Sequence, residues 1–383
     1  MIYSLPYLLF LAILMVCAFL TWNYKDNIKV QHSTIIVSIV LVLLFFGLRG
    51  FCFYDWNSYY PLFINKTWSN FFHPQLGSQS TEPGFTILLL TCKSIWNNYH
   101  FFVFVCTIIN TALLYRFLSK RTNNIPMGLV VCISMGGLYL YTDLMRNAIS
   151  ILIFINSIEY IEKKKPIPYF VLCLLACTFH STAVLYIPLY FILNKKISKW
   201  LFISIFAVGN IILLLKISVL MSIISLVASF INPELEAHIN AYTKLMHEEG
   251  FQISIGYLER LFTGIMVIIY INKLRKVRAN NDIFINSLLL YFIMFFFFSE
   301  FKTLSLRLSL LFSFAYWTLW TDLLKCITIR SNKYLFAAFI SIYCLFKMYG
   351  STNNPIAKYD AIYWNDEPYH LRKIYHYQHF NDK

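Results

Sequence analysis

The sequence predicts an all-α, polytopic membrane protein, and three observations carry that prediction. Of 383 residues, 58% are hydrophobic and only 13% charged, whereas soluble domains carry about 25% charged residues. The mean hydropathy is +0.60. Aromatic residues make up 19% of the chain, led by 36 Phe and 27 Tyr, which suits a protein whose main solvent is lipid. The same totals exclude a disordered chain, a coiled coil, a collagen and a secreted disulfide scaffold.

A spanning helix needs roughly 20 apolar residues. Apolar runs of about that order occur at 3–22, 34–50, 101–118, 125–141, 148–161, 200–215, 253–271, 283–299, 304–324 and 334–348. The first lacks the basic start and small-residue cleavage site of a secretory signal, so it reads as a retained span. The stretch 166–194 is too long for one crossing and short for two. Lys163, Lys164 and Lys165 precede it and Lys195, Lys196 and Lys199 follow it. Basic residues stay on the cytoplasmic side, so this stretch is predicted to be a hairpin with Phe179, His180 and Ser181 at its apex. Parity makes the run 85–96 a short re-entrant or interfacial helix, tolerated where protein covers it. The expected total is about 12 transmembrane helices with both termini outside.

Charge distribution supports this topology. The formal net charge is +14, which by itself suggests a nucleic-acid partner. Assigning the basic connections to the inner face, however, places 18 of the 32 basic residues there against five acids. Nearly all the surplus then lies on one side, and no nucleic acid is needed to explain it. The chain reads as a single integral membrane domain over 1–383, with outer-face segments at 51–82, 216–252 and 350–383. Within the second, 233–250 is acidic and amphipathic and is expected to lie as a helix on the outer surface. Eight of the nine cysteines fall in apolar runs, Cys52 alone lies near an aqueous loop, and there is no CxxC pair. Neither a metal site nor a disulfide framework is expected.

Ionisable residues are expensive at membrane depth and usually face a cavity or a partner. Here they gather towards the outer face: Arg49, Asp55, Glu82, Asp143, Arg146, His180, Glu259, Arg260, Glu300, Lys302, Arg307, His370 and Arg372. Plainer readings stand beside this one. Arg49 or Arg307 alone could be a snorkelling anchor. Asp143 and Arg146, three apart on one helical face, could form an intrahelical ion pair. His180 could be a satisfied core histidine, and the tail histidines could be solvated and inert. Several arginines at one depth argue instead for an outward-facing cavity that binds phosphate, since the planar fork suits bidentate contacts. There is no GxxxxGK[ST] loop for nucleotide hydrolysis, no HExxH motif, and Asp55-Trp56-Asn57 is not a paired-carboxylate metal motif. A lipid-linked pyrophosphate is the substrate that these features point to. Aromatics near the outer loops, including Phe53, Tyr54, Trp56, Tyr59, Tyr60, Trp68, Tyr363, Trp364 and Tyr369, could stack on sugar rings or form an interfacial belt.

Taken in order, Arg49-Gly50 with Asp55 and Tyr59, Glu82-Pro83-Gly84-Phe85, Arg146-Asn147-Ala148, Phe179-His180-Ser181, Arg307-Leu308 and Pro368-Tyr369 resemble the EpsG family of Wzy-type polysaccharide polymerases over nearly the whole chain. Asp55-Trp56 and Asn147 depart from that pattern, where tyrosine and glutamine are common. The resemblance implies a metal-independent, cofactor-free membrane glycosyltransferase of GT-C-like class in the bacterial cytoplasmic membrane, with its active site facing the exterior. Such enzymes transfer a growing glycan from undecaprenyl pyrophosphate to a lipid-linked oligosaccharide repeat unit. Donor, acceptor and membrane lipid are then the partners, with a chain-length regulator as a further one. For this chemistry Arg146 and Arg307, then Arg49 and Arg260, are expected to hold the pyrophosphate. His180 is the first candidate for general base because its unperturbed pKa suits neutral pH. Glu82 and Asp55 are its rivals, and Tyr59, Asp143 and Tyr369 are expected to bind substrate. A ligase of the O-antigen type is the alternative reading. A flippase ranks below both, since no internal repeat is visible and the ionisable groups do not run through to the inner side.

Overall fold

The computed structural model describes residues 2–73, 81–223, 254–364 and 367–380. The expected amphipathic segment at 233–250 lies outside the described residues. The chain divides into two compact units, one formed by 1–190 with 329–383 and the other by 191–328. Among the described residues both are helical, with one isolated antiparallel bridge, Arg49 to Ala361, as their only β pairing.

The first unit opens with α1 (Leu5–Asn23) and α2 (Ile28–Gly47), followed by α3 (Trp56–Asn65), α4 (Trp68–Phe72), α5 (Pro83–Ile95) and α6 (Tyr99–Ser119). Next come α7 (Ile125–Cys132), α8 (Leu138–Thr142), α9 (Met145–Glu162) and α10 (Pro166–Phe179), then a 3₁₀ stretch, Ser181–Phe191. Side-chain oxygens start several of these helices by accepting otherwise orphaned amides. Asn27 accepts from Lys29 and Val30, Asn98 from Phe101, and Asn124 from Met127. Proline at the first turn of α5, α7 and α10 costs no hydrogen bond there. α9 is the centre of the unit, buried from Met145 to Ile158 almost without interruption, and it packs on α6 and α10. At the end that the sequence places inside, Arg121 grips Glu162 with both nitrogens, while Lys120 and Lys163 converge on Glu159. The unit is completed by α16 (Arg330–Thr352), packed on α1, and by α17 (Tyr369–Phe380).

The second unit contains α11 (Lys199–Leu214), α12 (Ile255–Val277), α13 (Asp282–Phe297), α14 (Lys302–Leu310) and α15 (Phe314–Cys326). α13 packs against α11, α14 and α15, and α12 against α15. Asp322 is fully buried and is neutralised by Arg278 at 3.1 Å and Lys325 at 3.2 Å, with the Asn281 amide also donating at 3.2 Å.

Among the described residues six helical stretches are long and apolar enough to cross a membrane, and five shorter apolar helices accompany them, which marks a polytopic membrane protein. Helix length alone therefore accounts for six of the expected twelve crossings. The predicted hairpin is present as α10 and the 3₁₀ stretch with His180 between them, and the predicted short helix is α5. Two expected spans differ. The run 125–141 is broken by a π-turn in which Met135 (φ −102°, ψ 50°) and Gly136 (φ 109°) leave helical geometry. The run 304–324 is not one helix: between α14 and α15 the amides of Leu311, Phe312 and Ser313 reach only three residues back, which tightens the ladder.

Candidate functional site

The polar site of the first unit begins with a break in the chain. Asp143 closes α8, and Leu144 (φ −86°, ψ 49°) turns the backbone before α9 starts. Asp143 and Arg146 are therefore not on one continuous helix, and in place of the plainer alternative of an intrahelical pair each makes a separate contact. The Asp143 carboxylate turns to the loop between α2 and α3, where Oδ1 accepts from the amides of Tyr54 at 2.9 Å and Asp55 at 3.2 Å. Arg146 turns to Glu82, with Nη1 2.7 Å from Oε2. Burial and the nearby Asp55 push the Asp143 carboxyl up to about 7 against the pull of those two amides.

Glu82 reaches Arg146 because α5 lies close against the end of α10. A Cβ on Gly84 would stand 2.3 Å from Thr178 Oγ1 and 2.9 Å from the Thr178 carbonyl, so only glycine permits this approach. The Glu82 side chain is then carried to the turn after α10, where Oε1 accepts from the Ser181 amide at 3.2 Å. Burial works against the ionised carboxyl, but amide hydrogen bonds and Arg146 outweigh it, and its pKa is held below the usual range. Tyr59, from α3, is buried with its hydroxyl hydrogen-bonded to Arg146, and burial pushes its pKa up to about 12. Arg146 Nε is buried and has no partner among the described residues.

His180 stands beside this group. The Thr182 amide donates to its Nδ1 at 3.2 Å, and Thr182 Oγ1 lies 2.9 Å from the same nitrogen. An accepting Nδ1 places the proton of the neutral ring on Nε2, so His180 is arranged to donate through Nε2 rather than to take a proton there. Thr182 Oγ1 also reaches Asn147 Oδ1, at 3.5 Å.

Arg49 is 1% exposed, with Nη2 donating to the Thr142 carbonyl at 3.0 Å. A snorkelling anchor would keep its head in water, whereas this guanidinium is turned inward against the end of α8. The loop it opens is tied to the tail: Gly50 donates to the Asp360 carbonyl at 2.8 Å, Ile362 to Leu48 at 3.1 Å, and Phe53 to Ile356 at 3.2 Å. Phe53 holds a left-handed φ of 67° within these ties. Cys52, expected near water, is buried in this junction with Sγ 3.7 Å from the Asp360 carbonyl. Tyr369 stacks on Tyr60 with centroids 4.2 Å apart and donates to Asn57 at 3.4 Å. Trp56 and Phe53 are buried by neighbouring rings, while Tyr363 and Trp364 are exposed. His376, expected in solvent, is 6% exposed between Tyr54 and Trp56, where burial and Arg372 favour its neutral form.

The first unit thus brings together Arg49, Asp55, Tyr59, Glu82, Asp143, Arg146, His180 and Tyr369. Arg260 and Arg307 belong to the second unit. Arg260 is buried, with Nε donating to the Tyr291 hydroxyl at 3.1 Å, Nη1 to the Gly256 carbonyl at 2.6 Å, and its plane 3.8 Å over Phe295. Arg307 is exposed in the last turn of α14. The Ser181 amide and Thr182 were not anticipated, and their only signal in the sequence is their position at the hairpin apex. Among the described residues no group of three His, Cys, Asp or Glu side chains is placed to hold a metal ion.

Fold and site together define a polytopic helical membrane protein that gathers arginine, histidine and carboxylate side chains around the junction of the loop after α2, a broken helix and the turn after α10. The chain belongs to the EpsG family, whose model matches residues 32–363, and members of that family are polysaccharide polymerase-like. No curated protein and no solved structure matches it.

Proposed function

We propose that this protein is a polysaccharide polymerase that transfers a growing glycan from undecaprenyl pyrophosphate to a lipid-linked repeat unit at the outer face of the cytoplasmic membrane. The observation that carries the reading is the convergence of the Arg146 guanidinium and the Ser181 amide on one carboxylate, that of Glu82. Donors already held in place for an anion can stabilise charge developing on a diphosphate leaving group without reorganising. His180 Nε2–H adds a donor to the same charge. That role replaces the one its neutral pKa suggested, because Nδ1 is engaged by Thr182. Proton removal from the acceptor hydroxyl then falls to Glu82 or to Asp55, which is only half-buried. Asp143 positions the loop that carries Asp55, and Tyr59 orients Arg146.

The test is polymerisation by purified protein in detergent from a defined lipid-diphosphate repeat unit, read as a ladder on a gel. Arg146→Ala is expected to abolish the ladder while the protein remains folded. Full-length polymer from that variant refutes the assignment.

A further inference from the structure

Glu82 is an unusual occupant of its position. It is the N-cap residue of α5, yet its side chain caps nothing there; the Thr86 amide is received by the Glu82 carbonyl instead, at 3.0 Å. Besides its own backbone amide, the carboxylate engages two groups outside its helix, Arg146 Nη1 at 2.7 Å and the Ser181 amide at 3.2 Å. Removing it would leave α5 with its backbone start intact. Beside it Arg146 Nε lies buried without a partner among the described residues. Guanidinium and amide donors thus enclose a planar pair of anionic oxygens, the same geometry that binds a phosphate group.

We infer that Glu82 is an internal stand-in for the diphosphate: the lipid-linked diphosphate displaces it from Arg146 and Ser181, and the released carboxylate is the base that takes the acceptor's proton. This rests on the polymerase reading above. In the step, the proton of the acceptor hydroxyl passes to Glu82 and the acceptor oxygen bonds to the anomeric carbon. The bond from that carbon to the diphosphate oxygen breaks, its electron pair leaves with the diphosphate, and nothing is oxidised or reduced. The order of events follows from the contacts. While paired, Glu82 is a weak base, because the amides and Arg146 favour its ionised form against burial. Losing those partners to the diphosphate restores its basicity only when donor is bound.

The experiment is calorimetric titration of the detergent-solubilised full chain with inorganic pyrophosphate. Glu82→Gln keeps an acceptor for the Ser181 amide but removes the competing charge. It is expected to bind pyrophosphate at least about fivefold tighter than the unsubstituted protein and to form no polymer, while Arg146→Lys binds at least about tenfold more weakly. Thermal unfolding of each variant confirms that it is folded. Glu82→Asp, which retains the charge on a shorter arm, should fall between the two in affinity. Equal or weaker binding by Glu82→Gln overturns the displacement while leaving Arg146 as an anion site. Absence of binding in every form overturns the anion site as well. Farnesyl diphosphate should displace the inorganic ion from the same site, and failure to do so overturns the lipid-linked source.

Discussion

Arg372 of α17 donates through Nε to the carbonyl of Phe51 at 2.8 Å, joining residues 321 positions apart in the chain. Its Nη2 reaches the Lys358 carbonyl at 2.6 Å, Nη1 faces Glu367 at 3.4 Å, and the side chain is 1% exposed. One planar fork therefore holds the tail helix, the segment before it and the loop between α2 and α3. Arg372→Ala is expected to cost on the order of 3 kcal/mol, because the acceptors it leaves behind are buried. Arg372→Lys should recover only part of this, since an ammonium cannot reproduce the fork. Thermal unfolding, with limited proteolysis of the tail, measures both.

Asp143 gives the site a dependence on pH. Its folded pKa of about 7 lies above the ordinary carboxyl value of 3.8, so between these values the folded protein holds a proton that the unfolded chain has released. Stability from this group is present at the acid end of that window and is lost as pH rises through about 7. Asp143→Asn keeps an oxygen for the amides of Tyr54 and Asp55 and cannot ionise. Its stability should match that of the unsubstituted protein near pH 4 and exceed it by a margin that grows by up to about 1.4 kcal/mol per pH unit towards pH 7, read from melting temperatures. A constant difference across that range excludes the mechanism.

The two arginines of the second unit should behave oppositely. Arg260 lies 3.8 Å over the Phe295 ring and donates to Tyr291 and Gly256. Arg260→Ala should therefore lower stability by about 2–3 kcal/mol whatever it does to activity. Arg307 is exposed, and Arg307→Ala should leave unfolding within about 0.5 kcal/mol of the unsubstituted protein. Loss of the polymer ladder in that unperturbed background is the result expected if Arg307 holds the pyrophosphate as the sequence suggests, and retention of it removes Arg307 from that role.

Gly84→Ala probes the approach of α5 to α10. The added methyl group would meet the Thr178 carbonyl at 2.9 Å as well as its hydroxyl at 2.3 Å, so trimming the side chain with Thr178→Ala cannot relieve the clash. A loss of about 1–3 kcal/mol is expected, with polymerisation falling further than stability because Glu82 is drawn away from Ser181. Recovery in the double variant would show that the backbone contact does not matter.

Composition alone discloses the helical membrane class, because lipid as solvent leaves its mark on every span. The hairpin around His180 was legible from the lysines on either side, and α5 from parity. What local sequence could not disclose was pairing across distance. Asp143 and Arg146 are spaced as helical neighbours, yet the turn at Leu144 sends one to Tyr54 and Asp55 and the other to Glu82. Tyr369 and Trp56 look like surface rings for a sugar, but the docked tail lets them bury each other, with centroids 5.7 Å apart. His376 and Cys52 were misplaced in water for the same reason: their surroundings come from segments some 300 residues away. The broken run 304–324 carries no proline or glycine to announce it.

The pairing of Leu48 and Gly50 with Asp360 and Ile362 also sets a timetable. During synthesis the opening helices enter the bilayer long before their distant strap has been translated, and loop closure over such a separation carries an entropic cost. The stretch bearing Asp55 and Tyr59 can settle only once the ribosome has nearly finished. A half-made chain therefore carries that stretch still untied.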